Sequence, residues 1–296
     1  MHDRSKMKKI IFLIPVYNDW ESLIKLLGEI DSVIHNINNY KFECIIVNDS
    51  SSMEISKIIK PKNFNSLKII NMKENRGHAR CNAFGLRYIN SNQTYDYVIV
   101  MDGDGEDRPS EIKDLINKVM EDPTISVVAK RVKRSEGPIF QALYQIHKLI
   151  TFIFTGKKIN FGNYSCLTKQ DINILSDKAS LWSSFSGSVK KNLTQLNEVN
   201  SVRGLRYFGP SKMSLFNLIL HSFSIIAVFK YTVFLRSTFM LIILSFLFKT
   251  LGLIAIVLQI LIIFFNLIIF IISMRENEKA FFQSDKNVLD ENEITH

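Results

Sequence analysis

A chain of 296 residues has room for one large domain, or for one domain with an appendage, and its 37 basic against 28 acidic side chains leave it at +9. That charge suits nucleic acid, anionic lipid or a phosphorylated ligand, and the apolar stretch over residues 215–273 favours the last two. Cys44, Cys81 and Cys166 are odd in number and lack C-x-x-C spacing, which speaks against a disulfide framework and a zinc site and reads as reduced core thiols facing the cytosol. Lys6, Lys8 and Lys9 precede only a short apolar run that Pro15 ends, so no signal peptide is expected.

In chain order, residues 9–14 predict a buried strand and Pro15-Val16-Tyr17-Asn18 a loop at its carboxyl end. Leu23, Leu26, Leu27, Ile30 and Ile34 recur at helical spacing, so residues 20–37 predict a helix on a sheet. Residues 42–47 predict a second strand, ending in Asn48-Asp49-Ser50-Ser51-Ser52, and residues 67–71 a third, ending in Glu74-Asn75-Arg76-Gly77. A helix over 78–89 turns Ala79, Ala83 and Leu86 to the sheet, and a fourth strand follows at 97–101. Pro109 suits a helix start, and residues 125–129 make a fifth strand. Strands alternating with helices imply an α/β fold with a mostly parallel, doubly wound sheet.

The fourth strand runs into Asp102, Asp104, Glu106 and Asp107, with Gly103 and Gly105 between them. Carboxylates crowded at a buried strand end repel one another unless a cation sits among them, and hard divalent ions take such oxygen ligands. An acidic solvated turn is the bland alternative, and on this stretch alone the two readings stand level. Asn18 with Asp19, Asp49, and Asp102 with Asp104 then share one sheet edge, which describes a nucleotide site. Neither a P-loop nor a G-x-G-x-x-G turn follows the first strand.

Taken together, Pro15 to Asn18, Val47-Asn48-Asp49-Ser50-Ser51, Asn75-Arg76-Gly77 with Ala79, Asn82 and Gly85, and Asp102-Gly103-Asp104 resemble a family 2 glycosyltransferase of the GT-A fold. Glu106-Asp107-Arg108-Pro109 is similar to the Q-D-P-P run of dolichyl- and polyprenyl-phosphate sugar transferases, and the resemblance covers residues 8–236. Asp19, Asn48, Ser50 and Glu106 depart from the family pattern, and none of these changes removes a metal carboxylate. The resemblance implies that Asp49 bonds the nucleotide base, with Pro15, Tyr17 and Asn18 closing around it. It also implies that Asp102 faces the ribose or the metal, and that Asp104, with Asp102 and Glu106, holds Mg²⁺ or Mn²⁺. Arg76 is open between a phosphate contact and a loop charge.

A sugar hydroxyl acceptor needs a carboxylate base, whereas a lipid phosphate is already an anion and needs only cations to place it. In this fold the base would come from residues 160–200, which hold only Asp171, Asp177 and Glu198. The first two read as the solvated face of a helix over 169–176. Cations follow the fifth strand at Lys130, Arg131, Lys133 and Arg134. The resemblance makes Arg131 the acceptor-phosphate arginine, with Arg134, and the R-x-x-G-x-S-K run adds Arg206 and Lys212 for lipid phosphate or diphosphate. Tyr164, His147 and His221 read as structural.

Residues 213–236 predict an amphipathic helix lying in a membrane interface. Beyond it, residues 237–274 give either a single span near 251–273 or a tight hairpin, which the resemblance favours, and the polar tail 275–296 reads as disordered. The expectation is a cytosolic GT-A catalytic domain over 1–212, anchored at the inner or cytoplasmic membrane. It would be an inverting transferase moving sugar from a nucleotide diphosphate to polyprenyl phosphate. A transferase that extends a lipid-linked or cell-surface glycan and a non-catalytic membrane scaffold are the rivals. Nucleic acid is not an expected partner, and a homo-oligomer stays open.

Overall fold

The computed structural model describes residues 7–54, 57–133, 138–210 and 214–295. Arg134 and Lys212 therefore lie outside the described residues.

The chain begins with β1 (Lys8–Val16), α1 (Trp20–Ile34), β2 (Tyr40–Asn48), β3 (Ser66–Met72), α2 (His78–Asn92) and β4 (Tyr97–Val100). Its middle carries α3 (Ile112–Glu121), β5 (Val127–Lys133), α4 (Pro138–Thr155), β6 (Phe161–Thr168), α5 (Lys169–Leu175), α6 (Ser180–Ser183), α7 (Phe185–Asn192) and β7 (Asn197–Val202). It ends with α8 (Leu215–Ala227), α9 (Lys230–Phe246), α10 (Phe248–Leu251), α11 (Leu253–Ser273), α12 (Glu278–Phe282) and β8 (Val288–Glu293).

The eight strands form one sheet in the order β7-β5-β6-β4-β1-β2-β3-β8. Strands β1 to β4 pair in parallel, β6 runs antiparallel to β4 and β5, and β5 pairs in parallel with β7. Along β1 the side chains alternate between two buried layers, as a pleat demands. Ile10, Phe12 and Ile14 meet Leu23, Leu26 and Leu115 of α1 and α3, while Ile11 and Leu13 meet Phe84, Leu86 and Phe185 of α2 and α7. Helices on both faces make the sheet doubly wound, and the continuous apolar run of β1 reflects burial on both sides.

Four features depart from the expectation. Strand β5 continues to Lys133, so Arg131 lies within it rather than after it, and the lysines and arginine that hid this extension pair with Asn200, Ser201 and Val202 of β7. The amphipathic helix stops at Ala227 instead of residue 236. There the chain bends by 82° into α9, as Ile226, Val228 and Phe229 bury against Val233, Ile269 and Ile272. Helix α4 fills residues for which the sequence suggested no element. It packs on α9 and α11 through an Arg236 Nη1 bond to the Ile153 carbonyl (2.8 Å) and the Phe154 and Phe265 rings (4.2 Å), leaving Leu143, Ile146 and Leu149 exposed.

The tail is ordered, which corrects the expected disorder. β8 runs antiparallel beside β3, and its acidic side chains take polar partners there: Asn71 Nδ2 donates to Asp290, and Lys68 Nζ and the Tyr88 hydroxyl both meet Glu291. Phe281 of α12 is fully buried against Arg87 and Trp182.

Early α9 meets late α11 at Val233 and Ile269, and late α9 meets early α11 where Gln259 Nε2 donates to Ser245 Oγ (2.9 Å). The two helices are thus an antiparallel hairpin. Among the described residues one stretch, Leu253–Phe282, is long and apolar enough to cross a membrane, and α8 with α9 passes only as a bent pair.

Candidate functional site

The ends of β1, β2 and β4 converge on one sheet edge. Pro15 closes β1 with its carbonyl against Gly103, where a β-carbon would come within 3.1 Å of that oxygen. Tyr17 stands 40% exposed at the rim. Asn18, in the left-handed region, clamps the next loop: its N–H donates to Ser51 Oγ (2.9 Å) and its Oδ1 accepts from the Met53 N–H (3.0 Å). Ser50 also has a positive φ, +58°, a conformation that glycine adopts without steric cost. Asn48 bridges the two loops, accepting from the Ser51 N–H and donating to Asn71 Oδ1.

Asp49 is buried, and both of its carboxylate oxygens are taken by backbone: Oδ1 by the Arg76 N–H and Oδ2 by the Gly77 N–H, each at 2.8 Å. Burial raises its pKa, partly offset by these two bonds. Through these two bonds Asp49 pins the loop that leads into α2. The Arg76 side chain pairs with Glu74 (3.1 Å).

Asp102 sits between His78, the first residue of α2, and Asn163 of β6. Its Oδ1 is 3.0 Å from His78 Nε2 and accepts from Asn163 Nδ2 at 3.0 Å. Burial alone would raise its pKa, but His78 beside it holds the carboxyl well below the usual range. The same pairing raises His78 above an ordinary imidazole, against the lowering effect of burial. Asp107 reaches back to accept from the Asp102 N–H (2.9 Å), and burial together with the Asp102 charge pushes it up to about 7.

Asp104 accepts from the Glu106 N–H at Oδ1 (3.0 Å) and from Arg206 Nη1 at Oδ2 (2.8 Å), while the other amino group of Arg206 bonds Asp19. Glu106 pairs with Arg203. Burial, then the charges of Asp102 and Glu106, push Asp104 up to about 6. The segment after β7 is strapped across this loop. Gly204 N–H donates to the Glu106 carbonyl, Tyr207 N–H to that of Asp104, and the Tyr207 ring lies on Gly105 with its hydroxyl on Glu29 (2.5 Å). Arg203 and Arg206 bring positive charge against the crowded carboxylates, and His78 lies against Asp102.

Arg131 reaches the same edge from β5, its guanidinium lying over Gly162 and its charge lowering the pKa of Asp107. Arg206 pairs with Asp19 and Asp104. The carboxylates of residues 160–200 go elsewhere. Tyr97, at the start of β4, pairs with Thr168, so Asp171 lies beyond the opposite edge, where its carboxylate accepts from the Ser126 hydroxyl rather than facing solvent. Glu198 pairs with Lys130 (3.0 Å), and Asp177 is exposed. Tyr164 is core, its hydroxyl on the Arg108 carbonyl. His221 of α8 lies within the electrostatic reach of His78 and Arg131, and burial first, then these charges, push it down to about 4.

Sequence reasoning missed His78, Asn163, Arg203 and Tyr207. His78 directly follows the Asn75-Arg76-Gly77 run and Arg203 precedes Arg206 by one turn's spacing, so both carried a signal; Asn163 and Tyr207 acquire meaning only from sheet register and loop closure.

Among the described residues no group of three or more His, Cys, Asp or Glu is arranged to hold a metal. Two hard oxygen donors, Asp102 and Asp104, still suit a divalent ion that takes its remaining ligands from phosphate. Like-charge crowding that raises Asp104 is what such an ion relieves. The donor set fits.

The chain belongs to glycosyl transferase family 2, which it matches over residues 11–185. It is 27% identical over 171 residues to the undecaprenyl-phosphate 4-deoxy-4-formamido-L-arabinose transferase of Salmonella choleraesuis, covering 57% of this chain and 50% of that protein. The Salmonella newport protein of the same name matches equally. The chain thus spans about half the length of the curated relatives it matches. In structure it resembles glucosyl-3-phosphoglycerate synthase of Mycobacterium tuberculosis, solved with Mn²⁺, uridine-diphosphate-glucose and phosphoglyceric acid (TM-score 0.52, 13% identity, 76% of this chain and 79% of that one). Mannosyl-3-phosphoglycerate synthase of Rubrobacter xylanophilus is similar too (TM-score 0.50, 14% identity, 75% and 72%). The fold is GT-A.

Proposed function

We propose that this chain is a membrane-anchored inverting glycosyltransferase that moves a sugar from a nucleotide diphosphate to polyprenyl phosphate. The observation that carries the choice of acceptor is the placement of Arg131 at the acidic sheet edge, while the carboxylates of residues 160–200 lie away from it. A phosphate oxygen is already a nucleophile and needs a guanidinium to place it, not a base to deprotonate it. The names of the Salmonella relatives point to the same acceptor.

In this reading an oxygen of the acceptor phosphate attacks the anomeric carbon, the bond from that carbon to the diphosphate breaks, and the nucleoside diphosphate leaves with the electron pair. Attack from the opposite face inverts the centre. Arg131 fixes the incoming phosphate, and His78 and Asn163 fix the Asp102 carboxylate. Asp102 and Asp104, with Glu106, would hold Mg²⁺ or Mn²⁺, which supplies positive charge against the diphosphate.

The anchor is the α9–α11 hairpin, with α8 and the exposed apolar face of α4 in the interface. β8 pairs with β3 in the catalytic sheet, so the chain that leaves through α9 returns to the same side, which supports two crossings rather than one. Lys230, Arg236 and Arg275 flank the hairpin on that side and suit a cytosolic face. The test follows radiolabel from nucleotide sugars into the organic phase, with polyprenyl phosphate and Mn²⁺ or Mg²⁺ present. Label in an acid-labile lipid, lost in Asp104→Ala and Arg131→Ala, is expected. Turnover without labelled lipid would move the acceptor to a glycan, and no turnover would sink the enzyme reading.

A further inference from the structure

The guanidinium of Arg206 ties the acidic loop to the residue that precedes α1. One amino group bonds Asp104 Oδ2 at 2.8 Å and the other bonds Asp19, carboxylates that lie 85 positions apart in sequence and come from different strand ends. All three side chains are about five-sixths buried, with relative exposures of 15–17%. The Nε–H of Arg206 is buried and has no hydrogen-bond partner among the described residues. One charged donor in the middle of the site is therefore unspent. The backbone holding it is not part of a helix or a strand: residues 203–208 follow β7 as an irregular strap whose attachments to the acidic loop include two backbone bonds, the ring of Tyr207 and the arginine pairs.

We propose that Arg206 is an exchangeable counter-ion, which holds Asp19 and Asp104 together in the substrate-free protein and passes to the diphosphate when the nucleotide sugar arrives. Resting on the nucleotide-sugar reading above, it makes Arg206 a positioning residue and adds a rule of assembly. Divalent cation and nucleotide enter as a mutually dependent pair. The cation alone competes with a guanidinium already seated on Asp104. A diphosphate offers that guanidinium a replacement anion and takes its free Nε–H as well, so it releases the carboxylate to the metal. By linkage, whatever factor the diphosphate adds to metal affinity the metal adds to diphosphate affinity. An arginine that only braced the fold would produce no such coupling.

The experiment titrates Mn²⁺ into the full-length, detergent-solubilised protein and follows free Mn²⁺ by electron paramagnetic resonance, with and without UDP, GDP or dTDP. Wild type should bind Mn²⁺ weakly alone and at least tenfold more tightly with the matching nucleoside diphosphate. Arg206→Met leaves Asp19 and Asp104 uncompensated and should bind Mn²⁺ alone about tenfold more tightly than wild type, with most of the coupling gone. Asp19→Asn, which loosens the arginine without touching Asp104, should move Mn²⁺ affinity the same way by a smaller factor. Unchanged or weaker Mn²⁺ binding in Arg206→Met would overturn the exchange while leaving the metal–nucleotide site standing. Weaker binding in Asp19→Asn would make Asp19 a ligand and overturn it too. Absence of Mn²⁺ binding in every variant with every nucleotide would remove both the exchange and the nucleotide-sugar reading.

Discussion

A β-carbon added to Gly162 would stand 2.3 Å from Nη2 of Arg131, so the arginine lies across β6 in a notch that only a hydrogen atom leaves open. Two residues on neighbouring strands, each ordinary in its own sequence context, thereby define one guanidinium position at the acidic edge. Gly162→Ala should push the guanidinium aside without unfolding the sheet. We expect kcat/KM for sugar transfer to fall about tenfold or more, a misplacement effect, while the thermal unfolding midpoint stays close to wild type. Initial rates and differential scanning fluorimetry check both halves, and an unchanged rate would remove Arg131 from the acceptor site.

Asp49→Asn tests the loop-pinning role. The substituted side chain would keep one acceptor oxygen and present an NH₂ to the second of the Arg76 and Gly77 amides, leaving a buried donor opposed. The loss should be about 1–3 kcal/mol of stability, with hydrogen exchange accelerated at residues 76–78. If stability is unchanged and nucleotide affinity alone falls, Asp49 is a base contact after all.

The sheet was legible because β1 to β4 are apolar runs buried on both faces, and the acidic loop was legible as the direct continuation of the fourth run, although that stretch alone left its role open. Strands β7 (Asn197–Val202) and β8 (Val288–Glu293) were not legible. Each is an edge strand of mostly polar residues, and what makes it a strand is a neighbour hundreds or dozens of positions away: Lys68 and Asn71 for β8, the basic end of β5 for β7. The same reason hid Asn163, which faces Asp102 only because β6 runs antiparallel to β4. Arg206 was recognised as functional on its motif and assigned to phosphate; its pairing with Asp19 and Asp104 depends on a loop path that no local pattern encodes.

Gly105 combines a φ of +87° with the ring of Tyr207, which a β-carbon would approach to 2.3 Å. Gly105→Ala should therefore cost about 1–2 kcal/mol in backbone strain alone and lift the strap from the acidic loop. Hydrogen exchange over residues 203–208 should rise severalfold. Unaltered exchange there would mean that Tyr207 does not hold the strap.

His221 gives a pH dependence whose sign is fixed. The folded protein keeps its imidazole neutral down to about 4, through burial and the positive charges of His78 and Arg131, whereas the unfolded chain takes a proton near 6.5. The unfolded state binds more protons between these values, so stability is complete above 6.5 and is lost as pH falls toward 4. Thermal unfolding in detergent from pH 7.5 to 4.5 should fall more steeply for wild type than for His221→Gln, by about 5 °C or less. Parallel curves would show that folding does not lower the pKa of His221.

Truncation after Asn287 removes β8 and bares the outer edge of β3, together with Lys68, Asn71 and Tyr88 that met its acidic side chains. We expect a lower unfolding midpoint and concentration-dependent association through the open edge, read by light scattering. A monodisperse truncated protein with an unshifted midpoint would make β8 dispensable.

The position of β8 also orders events during synthesis. It follows α11 in the chain, so the catalytic sheet stays one strand short while both apolar helices are being made. An emerging polypeptide can fold its first seven strands early, yet the edge of β3 remains open to wrong partners until the hairpin has cleared the ribosome. Closure of that edge therefore comes last in the order of synthesis, after both apolar helices.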